Sequence, residues 1–192
     1  MPDALRRRQE GASGARRGVE GGRLSDAADI RLLCLDVDGV LTDGSISIDD
    51  HGREIKRFHV RDGTGLRLWR ALGHEVAVIT GRRGAALRHR LCELSIRHVV
   101  QGSQSKGEAF EALLEELELA ADHVAMLGDD LPDLPILRAC GYPMAVGDAA
   151  AEVRAVARFT TVRPGGHGAV REAIEHLLRE QRRWDEALEL FD

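Results

Sequence analysis

No stretch of this chain approaches the run of about 20 apolar residues that a membrane helix needs. Nor is there an excess of positive charge. With 27 Lys and Arg against 32 Asp and Glu, the formal net charge is −5, which excludes a general nucleic-acid binder, since such proteins replace phosphate counterions with a basic surface. Cysteine is scarce: Cys34, Cys92 and Cys140 are odd in number, far apart and set in apolar contexts. They read as buried reduced thiols rather than a disulfide or metal framework, which points to the cytoplasm. No internal repeat is visible. The first 28 residues carry Arg6, Arg7, Arg8, Arg16, Arg17 and Arg23 among glycines without an apolar core. They are expected to be a disordered extension rather than a secretory signal. Residues 29–184 then form one domain and 185–192 a C-terminal tail, a size that suits one well-buried core.

From Ile30 onward short β-type runs alternate with helical ones, the signature of a parallel sheet wrapped by helices. The pattern predicts strands over residues 30–36, 75–80, 98–100, 123–127, 143–146 and 158–161. It predicts helices over 66–72, 85–94, 107–119, 134–139 and 149–157. One piece breaks the alternation. Ser45 through Ile48, a polar turn at Asp49 to Gly52, and Arg53 through Val60 read as a β-hairpin inserted after the first strand. A lone two-stranded hairpin is marginal in water, so it is expected to pack on its own domain or on a neighbouring subunit.

The most informative string is Asp36-Val37-Asp38-Gly39-Val40-Leu41-Thr42-Asp43-Gly44. Two carboxylates lie two residues apart where a buried strand runs out, and Gly39 turns the chain so that both can face one pocket. A bare Asp-x-Asp is most often a surface turn; the extended string reverses that reading. Three further segments fall at the same edge of the sheet: Thr80-Gly81-Arg82, Lys106, and Gly128-Asp129-Asp130-Leu131-Pro132-Asp133. A phosphate monoester and a carboxylate nucleophile are both anionic, so attack needs a cation between them. Asp36 and Asp129 are hard oxygen donors suited to Mg²⁺.

In these four motifs the chain resembles the haloacid dehalogenase superfamily of phosphohydrolases. Asp36 to Gly44, Phe58 to Gly65, Gly128 to Pro135 and Gly165 to Glu172 narrow the resemblance to its capless 3-deoxy-D-manno-octulosonate 8-phosphate phosphatases, over about residues 30–184. The resemblance implies an α/β fold with a Rossmann-like parallel sheet flanked by helices, the hairpin after the first strand and no cap domain; indeed the intervals between motifs leave no room for one. It implies Asp36 as the nucleophile that forms an aspartyl-phosphate. Asp38 would be the acid and then the base, with its pKa tuned upward, and Lys106 would hold the nucleophile. Thr80 and backbone amides near Asp38 and Gly81 would bind the transferring phosphoryl group. The metal would be held by Asp36, Asp129 and the backbone carbonyl of Asp38, with Asp130, Asp133 and Gly81 in support. Substrate contacts would fall on Asp38, His59, Val60, Arg61, Asp62, Gly63, Arg67, Arg82, Arg90 and Lys106, where guanidinium forks suit a sugar carboxylate or phosphate. His59 stands where an amide-bearing residue is common in that family.

The resemblance further implies a homotetramer assembled through the 45–58 hairpin and a role in lipopolysaccharide assembly. The glycine-rich 163–172 segment is either a gate reaching an adjacent site or a linker into a packing helix. Two alternatives stand beside this reading: a nonulosonate 9-phosphate phosphatase acting on N-acylated or deaminated neuraminate phosphates, disfavoured by Arg61, and a catalytically silent tetramerising or sugar-acid-binding module, disfavoured by intact Asp36, Asp38, Lys106 and Asp129.

Overall fold

Strand β1 (Leu32–Leu35) is four apolar residues, all fully buried. That continuous run marks a strand covered on both faces, as parallel sheets require. The computed structural model describes residues 25–191. Around β1 stand β4 (Glu75–Thr80), β5 (His98–Gln101), β6 (Val124–Gly128), β7 (Tyr142–Ala145) and β8 (Phe159–Thr160), in the order β5-β4-β1-β6-β7-β8 with every pairing parallel. Leu35 is in register with Val78 on one side and Leu127 on the other. The strand order therefore reverses at β1, and the crevice where parallel sheets bind ligands opens beyond Leu35, Thr80 and Gly128.

Helices flank the sheet in two groups. α1 (Val60–Ala71) packs on α6 (Ala169–Glu180), which also meets α7 (Trp184–Leu188); α3 (Lys106–Glu116) packs on α4 (Leu134–Ala139), and α4 on α5 (Ala151–Val156). α2 (Ala85–Glu93) links β4 to β5. No helix among the described residues is long and apolar enough to cross a membrane.

The strands fall where the pattern places them, and the departures have physical causes. α1 begins at Val60, six residues before the helix predicted from Leu66. Its first turns carry Gly63 and Gly65, which lower helix propensity. Both are close-approach sites: a Cβ on Gly63 would crowd Arg90 and Leu94, and one on Gly65 would crowd Arg171 and Ile174. The hairpin is shorter than expected, with β2 (Ser47–Ile48) and β3 (Glu54–Ile55) only two residues each. Cys34 and Cys140 are buried free thiols as expected, but Cys92 is exposed on α2.

The expectation of a disordered extension lies outside the described residues as far as 24. Residues 27–29 form a turn of 3₁₀ helix with Ala27 buried, so the ordered body starts before residue 29. At the other end, residues 185–192 begin inside α7, whose Ala187 is fully buried.

Candidate active site

The loop after β1 explains its own sequence. The Val37 carbonyl accepts the Val40 N–H (3.2 Å), the Thr42 N–H (3.0 Å) and the Thr42 hydroxyl (3.3 Å), winding residues 37–42 into a tight turn over buried Val40 and Leu41. Gly39 sits at φ +97°, and a Cβ there would lie 2.6 Å from Asp129 Cγ. Only glycine meets both demands. The turn thus brings the carboxylate that follows β6 against the loop that follows β1.

Lys106 is the first residue of α3, capped by the Ser105 hydroxyl, which accepts the Glu108 N–H at 3.3 Å. A cation at a helix N-terminus opposes the helix dipole. Two carboxylates compensate it: Lys106 Nζ is 2.7 Å from Asp36 Oδ1 and 2.7 Å from Asp133 Oδ1. Asp133 is fully buried, and its Oδ2 accepts the Asp129 N–H (3.0 Å) and the Asp130 N–H (3.4 Å). Asp133 therefore ties the β6 loop to the lysine and has no oxygen to spare. Asp130 is exposed and caps the following turn.

Carboxylate oxygens of Asp36, Asp129 and Asp133 lie within 4.8 Å of one another, with Lys106 as the ammonium that meets them. Burial, and then Asp133, push the Asp36 carboxyl up to about 6 against the pull of Lys106; burial, Asp36 and Asp133 push Asp129 up to about 8. Asp129 Oδ1 is buried without a hydrogen-bond partner. A buried oxygen left bare inside a carboxylate cluster fits a hard divalent cation held by Asp36 and Asp129, with Asp133 already committed to Lys106 and the loop amides. Thr80 closes β4 with its side chain buried, its hydroxyl accepting the Arg82 N–H at 3.3 Å.

Asp38 stands at the mouth of this cluster. One oxygen holds Lys56 Nζ, and the other lies 3.7 Å from Arg82 Nε. Sequence reasoning missed Lys56, because a hairpin lysine reads as a solvated charge until the hairpin folds back on the site.

The remaining sequence candidates divide. Arg82 is bound to Glu54 at 2.6 Å. Arg90 pairs with Glu93 at 2.8 Å over the Phe58 ring and lines an open cavity of about 420 Å³ with Lys56, Phe58, Val60 and His89. Arg67 reaches Glu93 at 3.5 Å on the protein surface. Arg61 lines a separate cavity with Arg163 and Arg171. His59 precedes α1 and keeps Nδ1 buried without a partner. Asp62 is buried; its Oδ1 accepts the Arg171 N–H at 2.8 Å, capping α6 from another helix, while its Oδ2 has no hydrogen-bond partner.

The glycine-rich segment before α6 lies against its own chain's aspartate loop. The Gly166 N–H donates to the Val40 carbonyl at 3.0 Å and the Gly165 N–H to Asp148 Oδ1 at 2.9 Å. A Cβ on Gly165 would come within 2.5 Å of the Gly39 carbonyl carbon.

A family model described as haloacid dehalogenase-like hydrolase matches residues 93–174. The chain is 45% identical over 164 residues to the 3-deoxy-D-manno-octulosonate 8-phosphate phosphatase of Escherichia coli K12, covering 85% of this chain and 87% of that one. A crystal structure of the same phosphatase from Moraxella catarrhalis, in complex with magnesium, phosphate and the sugar acid, superposes with a TM-score of 0.84 at 40% identity, over 87% of this chain and 96% of that one. The cobalt-bound phosphatase of Haemophilus influenzae superposes at 0.82, with 35% identity over 86% and 99%.

Proposed function

The chain belongs to the haloacid dehalogenase-like hydrolases, in the branch of the 3-deoxy-D-manno-octulosonate 8-phosphate phosphatases, and from that membership we propose that it releases phosphate from this eight-carbon keto-sugar acid ester. The observation that carries the reading is the cluster of buried Asp36 with half-buried Asp129 and Lys106 at the sheet's switch point, with Asp38 at its mouth.

Lys106 fixes Asp36 by one oxygen, leaving the other to attack phosphorus; the Asp36 O–P bond forms as the bond to the sugar oxygen breaks. Asp38 donates a proton to the departing oxygen and then takes one from the water that cleaves the aspartyl-phosphate. Thr80 and the loop amides supply hydrogen bonds to the phosphoryl oxygens. Magnesium, held by Asp36, Asp129 and the Asp38 carbonyl, offsets the charge of nucleophile and phosphate when bound. The cavity beside Lys56, Phe58 and Arg90 receives the sugar acid.

Assembly and location follow the same reading. Ile46, Ile48 and Ile55 on the hairpin are 58, 63 and 63% exposed, Ile46 and Ile48 on one face of the ribbon and Ile55 on the other, and these bare apolar side chains support a homotetramer formed through the hairpin. The free cysteines support a reducing cytoplasm.

The test is magnesium-dependent phosphate release from the eight-carbon acid phosphate beside nine-carbon neuraminate-type phosphates and a simple aryl phosphate. A preference of about a hundredfold or more for the eight-carbon acid, about 2.7 kcal/mol in the transition state, establishes the substrate. Preference for a nine-carbon acid keeps the chemistry and replaces the substrate, and no release from any of them overturns the reading.

A further inference from the structure

Of the chain's 27 basic residues, Lys56 and Lys106 are the lysines and all others are arginine. Each lysine meets one of the two aspartates of the Asp36-x-Asp38 pair. Lys106 belongs to the chemical steps described above; Lys56 borders the sugar-acid cavity but has no part in those steps.

The Lys56 side chain is only 5% exposed, although it follows directly on the short hairpin strand β3. Burying an ammonium is costly unless it is closely paired. Its partners are Asp38 Oδ1 and, at 3.4 Å, Glu54 Oε1. Glu54 Oε1 in turn accepts from Arg82 Nη2 at 2.6 Å, and Arg82 Nε comes back to within 3.7 Å of Asp38 Oδ2. The four groups close a ring of alternating charge with Asp38 as its inward member. Asp38 Oδ2 is buried and has no hydrogen-bond partner. With Oδ1 pinned by Lys56, Oδ2 is the oxygen left to carry the proton.

We propose that Lys56 is a positioning residue: it orients the Asp38 carboxyl toward the leaving-group oxygen and is itself held by Glu54 and Arg82, so that the hairpin builds the proton-transfer half of the site. The proposal rests on the reading of Asp38 as the acid, and the experiment separates the two.

The assay measures kcat/KM on phenyl phosphates of similar size, from nitro-substituted to unsubstituted. Their leaving groups span good phenolates to one with a pKa of about 10 that gains much from protonation. The ratio of unsubstituted to nitrophenyl rates, taken on one preparation, is independent of the folded fraction and of recognition of a sugar acid. Lys56→Met is expected to lower this ratio by about tenfold or more, because a misplaced catalytic group forfeits a large part of its contribution. Glu54→Gln, which weakens the anchor, is expected to lower it less. Asp38→Asn, run alongside, must lower it most.

If Asp38→Asn lowers the ratio and Lys56→Met does not, the positioning role is overturned and the acid stands. If neither variant lowers it, the acid reading falls and the proposal with it. A Lys56→Met enzyme with an unchanged ratio and a raised KM for the sugar acid phosphate alone also overturns the proposal, by making Lys56 a substrate ligand.

Discussion

Magnesium is expected to stabilise this protein far more at pH 8 than at pH 5. In the metal-free protein the Asp36 and Asp129 carboxyls are pushed up to about 6 and about 8, burial being the first cause in each and neighbouring carboxylates the second. In the unfolded chain both return to about 3.9. The folded protein therefore holds these protons more tightly. That contribution to stability is fully present below pH ~4 and is lost as pH rises through 6 and then 8. Solvent at the mouth of the site screens Asp129, so the expected loss is about 3 kcal/mol rather than the sum of both displacements. Magnesium competes with the same protons, and its benefit grows as they leave.

The assay is a thermal melt at half-unit steps from pH 5 to 8.5, in chelator and in excess magnesium, read as the difference at each pH. Burial pushes His74 down to about 4 and lowers His176, so their terms change with pH in the opposite sense. They lie outside the carboxylate cluster and cancel in the difference. A shift of roughly 2 °C or less at pH 5 should grow to roughly 6–12 °C at pH 8, at about 2–4 °C per kcal/mol for a domain of this size. Asp129→Asn should flatten the curve. A magnesium shift that is constant with pH, or larger in acid, would refute the reasoning.

Three further outcomes are expected. Gly165→Ala places a methyl group against the Gly39 carbonyl, a backbone contact that cannot rotate away; it should cost about 2–3 kcal/mol in denaturant titration and lower activity by moving the aspartate loop, and a variant as stable and active as the parent rules out that packing. Asp62→Ala removes a buried cap from α6 and should cost about 1–2 kcal/mol with little change in KM; a large rise in KM at unchanged stability would make Asp62 a substrate contact instead. Ile48→Asp with Ile55→Asp puts a carboxylate on each exposed face of the hairpin and, on the proposed tetramer, should shift sedimentation to smaller species than the parent, whereas sedimentation unchanged from an oligomeric parent would place the interface elsewhere.

The sheet and the cluster of acidic groups at its edge were legible because each is carried by short stretches of chain. β1, β4 and β6 are continuous apolar runs, and Asp36, Thr80 and Asp129 stand at or just past their ends. What sequence could not supply was contact between distant segments. Lys56 reaches Asp38 across a folded-back hairpin, and Asp62 caps a helix that begins more than a hundred residues later. The start of α1 was hidden because Gly63 and Gly65 serve neighbours rather than helix propensity. Arg67, Arg82 and Arg90 were expected as substrate contacts from the resemblance, and each is paired with a glutamate that the sequence alone does not reveal.

The seating of Gly165 and Gly166 on residues 39–43 sets an order of events during synthesis. Domains are made N-terminus first, at about 5–20 residues per second, so every residue from Asp36 to Asp133 leaves the ribosome before this glycine pair. A nascent chain that already displays all four motifs still lacks the segment that covers its aspartate loop and donates to Val40. Contacts between such remote parts form late because loop closure must come first. The loop that carries Asp36 and Asp38 thus gains its final support only after residues 165 and 166 have been made.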